Sequence, residues 1–368
     1  MVIGLLKQQL IIINKKLCAP PRLKRYNSNI LHMNPLTTQI LATLEILLQE
    51  EMECILPYNH RSKWKPFYWE SSVKAEFNLI SLLYSQGWMR NTDIEIAIQN
   101  WQEIEKNGIP TPEEYNDYAD GILEEEEEYE YEESEEFDEY EEEIVDRKSP
   151  QFQQRKNYYQ QFSKLLKSNL YDLEVYEFSC WAEYSCFAIV GQLLDNQNWI
   201  CVTSTVPKET PDFNNIIVTK NNSEVFISQA NTDLESQIDK IMEFLTPVLT
   251  YGHYDGGYEQ TYHHQITYQT ASNKQTALQN SLIKSGFLQI GQFQSFYPDE
   301  GDYIFQDYSG EEEGEELYEK YQHLNSFLKT KFSELTLYTF RFWDYTQLFI
   351  IGESTENDQV GLRLTSEF

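Results

Sequence analysis

Basic residues are scarce in this chain. Its 368 residues hold 28 Lys and Arg against 60 Asp and Glu, a formal charge of −32 at pH 7. Phosphate repels so acidic a surface, which argues against direct nucleic-acid binding. It suits a basic partner instead, such as a protein that itself binds nucleic acid. Cysteine is scarce too. Cys18, Cys54, Cys180, Cys186 and Cys201 are odd in number, widely spaced and form no CxxC pair. The last three fall in apolar, strand-like runs, which points to buried thiols in a reducing, cytoplasmic compartment rather than to bridges. No apolar run approaches the roughly 20 residues that a membrane-crossing helix needs, so no membrane span is expected. There is no Gly-rich phosphate loop, no HExxH and no GxSxG. Paired carboxylates abound, but inside an acidic run such pairs carry no catalytic information. The expectation is a protein that is not an enzyme and needs no cofactor or metal.

What the chain does have is a repeat. YQQFSKLLKSNLYDLEVYEFSCW, from Tyr159, returns as YQHLNSFLKTKFSELTLYTFRFW, from Tyr321. Tyr159/Tyr321, Leu166/Leu328, Lys167/Lys329, Leu173/Leu335, Tyr176/Tyr338, Phe178/Phe340 and Trp181/Trp343 pair at a constant spacing of 162 residues. The spacing slips by one, and Phe187/Phe349, Ile189/Ile350 and Gly191/Gly352 follow. Such a run marks a duplicated supersecondary unit. Fainter matches extend it upstream: Ile55-Leu56-Pro57-Tyr58 with Val248-Leu249-Thr250-Tyr251, and Ser81-Leu82-Leu83 with Ser281-Leu282-Ile283. The spacings require about 38 extra residues in the first copy. Each half is long enough to bury a core of its own.

Residues 1–33 stand apart, with six basic residues (Lys7, Lys15, Lys16, Arg22, Lys24, Arg25) and no acid. A transit peptide is one reading. The lack of a small-residue cleavage pattern and of a repeat partner favours an upstream in-frame extension before a working start at Met33. From Thr37, with Thr37-Thr38 as cap, Ile40, Leu41, Leu44, Leu47 and Leu48 predict an amphipathic helix. PFYWE reads as a short strand, FNLISLLY as an apolar run stopped at Gln86-Gly87, and Ile94, Ile98 and Trp101 as one side of a helix capped by Thr92-Asp93. Leu234, Ile238, Ile241, Met242 and Leu245 make the helix that matches the first. Within the repeat, Phe162, Leu165, Leu166 and Leu170, and again Leu324, Phe327, Leu328 and Phe332, line helical faces. Three strands follow each. The second of them, CFAIVGQ or LFIIGES, is apolar on both sides and hence central in an antiparallel meander.

The extra residues coincide with an acidic tract, Glu113 to Asp146, whose core is EEEEEYEYEESEEFDEYEEE. It repels itself and is too polar to fold alone, so it reads as an extended loop. Glu124, Glu125 and Glu126 with Tyr129 and Tyr131 offer carboxylates in place of phosphates and rings in place of bases, which a cationic groove built for single strands would accept. The second copy holds a shorter patch in the same place, with Glu311, Glu312 and Glu313.

The second meander, LFIIGES–TENDQVGLRLTSEF, preceded by KYQHLNSFLK and TLYTF, resembles the C-terminal half of cyanobacterial nuclease A inhibitors. The first copy fits at Glu174-Val175-Tyr176, Ile189-Val190-Gly191, Asp195-Asn196-Gln197-Asn198-Trp199 and Thr205-Val206. The family's first half, an amphipathic helix and an F-x-W-E strand, matches residues 40–48 and Phe67-Tyr68-Trp69-Glu70. The resemblance covers nearly all of 36–368 and is specific in the meander. It implies a three-layer α/β/α sandwich that binds a metal-dependent, sugar-non-specific nuclease and blocks its active site, with a terminal Glu-Thr reaching the catalytic metal. Glu209 and Thr210 match that pair in the first copy, where they are not terminal; Glu367 matches in the second, where Phe368 replaces Thr. The loop before the first strand also departs, as Asn59-His60-Arg61-Ser62 and as His253-Tyr254-Asp255.

The expected architecture is α/β (α+β): two tandem three-layer α/β/α sandwich domains, each with a largely antiparallel sheet, at 34–212 (acidic loop 113–146) and 213–368. The expected function is binding, without catalysis, of a basic protein such as a nuclease. The contacts fall on Glu209, Thr210, Glu367, Phe368 and the acidic and aromatic residues named above. The alternative is a duplicated interaction domain that has kept the fold and lost inhibition. A metal role for the His253–His264 region is set aside, because His263 and His264 point to opposite faces of a strand.

Overall fold

The computed structural model describes residues 34–48, 53–55, 61–70, 76–106, 150–180, 185–194, 197–207, 217–221, 233–255, 258–297, 311–343, 345–354 and 358–367. The basic extension and the acidic tract lie outside them. Helix α1 (Pro35–Leu48) buries Thr37, Ile40, Leu44 and Leu48. Its cap is not the expected Thr37-Thr38. Asn34 Oδ1 accepts the Leu36 amide at 2.7 Å, and Pro35 takes the first helical position, where a missing N–H costs nothing. Thr37 turns inward instead, its hydroxyl 3.1 Å from Ser354 Oγ and 3.2 Å from Asp358 Oδ2.

Strands β1 (Glu53–Ile55), β2 (Arg61–Lys63) and β3 (Lys65–Trp69) follow. The apolar run forms α2 (Leu79–Gln86), capped by the Asn78 side chain and stopped by Gly87 at φ 74°, a left-handed turn that glycine makes without strain. Strand β4 (Met89–Thr92) leads into α3 (Ile94–Lys106), which buries Ile94, Ile98 and Trp101 as their spacing requires. The first meander unit is α4 (Pro150–Asn169), β5 (Leu170–Phe178), β6 (Cys186–Leu193) and β7 (Trp199–Ser204), with β8 (Ile217–Asn221) after it. The second half runs α5 (Asp233–Met242), β9 (Val248–Asp255), β10 (Tyr258–His264), β11 (Ile266–Ala271), α6 (Lys274–Ser285) and β12 (Leu288–Phe296). It ends with α7 (Glu311–Lys331), β13 (Thr336–Phe342), β14 (Tyr345–Glu353) and β15 (Gln359–Glu367). The chain is α/β, and its described strand pairs are antiparallel.

The strand order shows how the halves are joined. Among the described residues β1-β2 and β9-β10 are two-stranded hairpins, and the two larger sheets run β11-β7-β6-β5-β4 and β3-β15-β14-β13-β12-β8. Both meanders are as expected, but each is extended by the other half. Strand β3, from the first half, lies along β15 with Gly361 opposite Phe67, and β11, from the second, lies along β7 with Thr270 opposite Ile200. The exchange is reciprocal. A division at 212/213 follows the repeat in sequence but cuts across both sheets.

Three apolar clusters follow from the period-2 alternation of the strands. On β14, Leu348 and Ile350 face one cluster while Phe349 and Ile351 face another. On β6, Phe187 and Ile189 face a third, while Cys186, Ala188 and Val190 join the second. The outer face of the six-stranded sheet packs on α1 and α7, through Ile40, Leu44, Leu324 and Leu328. That of the five-stranded sheet packs on α3, α4 and α5, through Trp101, Phe162 and Ile238. The inner faces of both sheets share one cluster with α2 and α6, where Phe287 stacks edge-on with Phe340 and Phe342 and lies 5.2 Å from Phe178. The expectation that each half buries a core of its own is thus corrected: every cluster contains residues of both halves.

The repeated glycine Gly191/Gly352 has a packing cause. A Cβ on Gly352 would stand 2.3 Å from the Phe332 ring, and one on Gly191 2.8 Å from Leu170 Cβ. Each lies under the first residue after the preceding helix, Leu170 after α4 and Phe332 after α7.

Candidate functional site

The residues expected to meet a partner fall into two groups. Glu209, Thr210, Phe368, Glu124, Glu125, Glu126, Tyr129 and Tyr131 lie outside the described residues. Glu367 is the last residue of β15, paired with Tyr345 of β14. Glu311, Glu312 and Glu313 form the first turn of α7, so this second acidic patch is helical from Glu311 rather than a loop like that expected of the first. A helix N-terminus carries partial positive charge, and an acidic first turn is favourable there. Further along α7, Glu315 and Glu316 are exposed, and Lys320 sits 3.1 Å from Glu316. The ladders also fix how the strand ends correspond. Ile200 opposes Gly191 and Val360 opposes Gly352. Counted from there, Pro207 stands where Glu367 stands, so Glu209 falls two residues further along.

The most elaborate polar cluster is one that the sequence did not single out. Glu105, near the end of α3, is buried. The Arg155 guanidinium of α4 grips it with two bonds, Nε to Oε2 at 3.0 Å and Nη2 to Oε1 at 2.7 Å. Tyr159 donates its hydroxyl to the same Oε1 at 2.7 Å. His264 of β10, fully buried, brings Nδ1 to 3.5 Å from that oxygen. Arg155 Nη2 also donates to the Thr246 carbonyl at 2.9 Å, and the Thr250 hydroxyl to the Ile104 carbonyl at 3.1 Å. Burial alone would raise the Glu105 carboxyl, but the His264 and Arg155 side chains outweigh it and hold it below the usual range. Burial, with the carboxylate beside it, pushes the Tyr159 phenol well up. Every polar group of the carboxylate faces a donor from this chain, so the cluster is a clasp between α3, α4 and the β9–β10 hairpin. His263, next in sequence to His264, is exposed on the opposite face, as expected. Among the described residues no three His, Cys, Asp or Glu come together to hold a metal ion.

A second cluster is half open to solvent. Tyr84 of α2 meets Tyr176 of β5 edge-on at 6.3 Å and donates its hydroxyl to Asn91 Oδ1 at 2.6 Å. Lys274, at the start of α6, sets its ammonium 5.2 Å from the Tyr176 ring centre, 6.0 Å from that of Trp199 and 2.6 Å from Glu174 Oε1. Tyr176 bonds the other oxygen of Glu174. The arrangement suits a cation over aromatic faces, and the chain's own Lys274 fills it. The repeat flags Tyr176 through its mate Tyr338, but nothing in sequence links it to a lysine contributed by the other half.

Cys180, Cys186 and Cys201 are buried and unbridged, as their apolar runs implied. Burial pushes the Cys180 and Cys201 thiols up to about 12.

No family model, no curated protein and no solved structure matches this chain.

Proposed function

We propose that the protein binds a basic partner, a metal-dependent nuclease of broad specificity, and obstructs its cationic cleft without doing chemistry of its own. The observation that carries this reading is the concentration of acid. Of 60 Asp and Glu against 28 Lys and Arg, a large share lies in the run 113–146 and in the patch that opens α7. The first precedes the helix of its repeat unit and the second opens the helix of the other. The residues quoted for the nuclease A inhibitors support the same reading. So does the architecture, since antiparallel sheets flanked by helices are what that resemblance implies. Glu209, Thr210, Glu367 and Phe368 are the proposed contacts at the strand ends; Glu124, Glu125, Glu126, Tyr129, Tyr131, Glu311, Glu312 and Glu313 are those of the acidic surfaces. Carboxylate oxygens near a Mg²⁺ ion replace phosphate oxygens and water.

The test is digestion of DNA and RNA by a cell extract at low salt with the purified chain added. Inhibition that weakens as salt rises supports the reading, because exposed charges are screened within about 10 Å at 0.1 M. Undiminished digestion, with no basic nuclease retained by the immobilised chain, ends it. A chain lacking 113–146 separates the main reading from its alternative. Loss of inhibition assigns the acidic run a direct role, whereas binding that persists without inhibition fits a duplicated interaction domain.

A further inference from the structure

We propose that the two halves recognise one another as separate molecules would, so that the backbone between Asn221 and Asp233 is not needed to hold them together. Each half presents an open strand edge, β7 in one and β15 in the other. The ligand each edge fits is the helix–hairpin–strand segment of the sister half, Asp233 to Ala271 for β7 and Pro35 to Trp69 for β15. Two independent tandem domains would pair β3 with β7 and β11 with β15. The ladders show the opposite: β11 follows β7 over six residue pairs and β3 follows β15 over five, and β8, on the N-terminal side of Asn221, follows β12 over five more.

Each exchanged segment is fixed by more than its strand. Helix α1 sets Ile40, Leu44 and Leu48 into a cluster otherwise built largely from β13–β15 and α7. Helix α5 sets Leu234 and Ile238, with Leu245 beyond it, against α3 and α4. Without these helices the outer face of one sheet would keep only α7 as cover, and that of the other only α3 and α4. Directional bonds set the register. Trp64 Nε1 donates to Tyr321 Oη at 3.1 Å and Thr37 reaches Ser354 and Asp358 on one side. On the other, Arg155 reaches the Thr246 carbonyl and Thr250 the Ile104 carbonyl. An unpaired edge with its row of free N–H and C=O groups invites another strand, and reciprocal exchange of one element between identical units is a low-cost route to a closed dimer. The chain has the architecture of a strand-exchanged homodimer whose two copies have been joined end to end. The partner that each half fits is a second copy of the repeat.

Insertion of a protease recognition sequence between Asn221 and Asp233 of the full-length chain tests this. The uncleaved insertion variant, melting with the parent chain, is the reference. After complete cleavage on a denaturing gel, light scattering on a sizing column should return the intact mass in one peak. High salt should leave that peak unchanged, because strands and apolar faces make the contact rather than exposed charge. Two separate peaks, one for each of the unequal fragments, or precipitation of either fragment on cleavage, would overturn the proposal.

Discussion

At the scale of single residues, Glu105 shows how far from the sequence an interaction can be decided. In a helix reading IEIAIQNWQEIEK it looks like one more solvated acid. It is buried because Arg155 and Tyr159 of α4 and His264 of β10 converge on it from two other stretches of chain. Periodicity cannot find such a cluster, since it registers apolar faces and not which lone polar groups will meet. Its energetics are testable. The folded carboxyl sits below its unfolded value, so its contribution to stability is complete above the ordinary carboxylate pKa of about 4.3 and is lost as pH falls through the lower folded value. The melting-temperature gap between the parent and Glu105→Gln should therefore be constant from pH 7 to about pH 5 and should shrink below about pH 4. A gap that widens in acid would contradict the clasp. Arg155→Met, which strands the carboxylate, should cost about 3–5 kcal/mol, and the double variant with Glu105→Gln should recover part of it. The thiols give a second check. With burial raising Cys180, Cys186 and Cys201, iodoacetamide at pH 7.5 should leave these three unlabelled in the native chain and label them in denaturant, as peptide mass spectrometry would read.

At the scale of elements, much was legible. The spacing of Ile94, Ile98 and Trp101 and of Ile40, Leu44 and Leu48 placed α3 and α1, and the doubly apolar CFAIVGQ and LFIIGES placed the central strands. Gly87 ended α2 where Gln86-Gly87 was expected to stop it. The cap of α1 was misplaced because Thr37-Thr38 and Asn34-Pro35 both carry capping chemistry, and a buried partner at Ser354 drew Thr37 inward. The exchange of β3 and β11 was not legible at all. Alternation says which face of a strand is buried, but not which of two similar edges the strand will join, and duplicated halves offer two nearly equal edges. The repeated glycine can be tested at this scale. Gly352→Ala drives a methyl group into Phe332, and Gly361→Ala drives one into the Ile350 carbonyl oxygen, 1.8 Å from the ideal Cβ position. Each should cost about 1–3 kcal/mol in denaturant unfolding, whereas Ala at the exposed Gln39 should be close to neutral.

At the scale of the whole molecule, the duplication, the charge and the fold support one another. The exchange makes a single interlocked body of two repeats, and an acidic stretch lies before α4 in one and at the start of the equivalent α7 in the other. A body of net charge −32 attracts a cationic protein over long range and resists its own crowding. Nuclease obstruction is tested most directly by titrating a purified Mg²⁺-dependent, sugar-non-specific nuclease with the full-length chain, following cleavage of a labelled duplex at low and high salt. Cleavage should fall to background near stoichiometric amounts of the chain at low salt and return as salt is raised. Cleavage that continues at the uninhibited rate in the presence of excess chain at low salt would contradict obstruction.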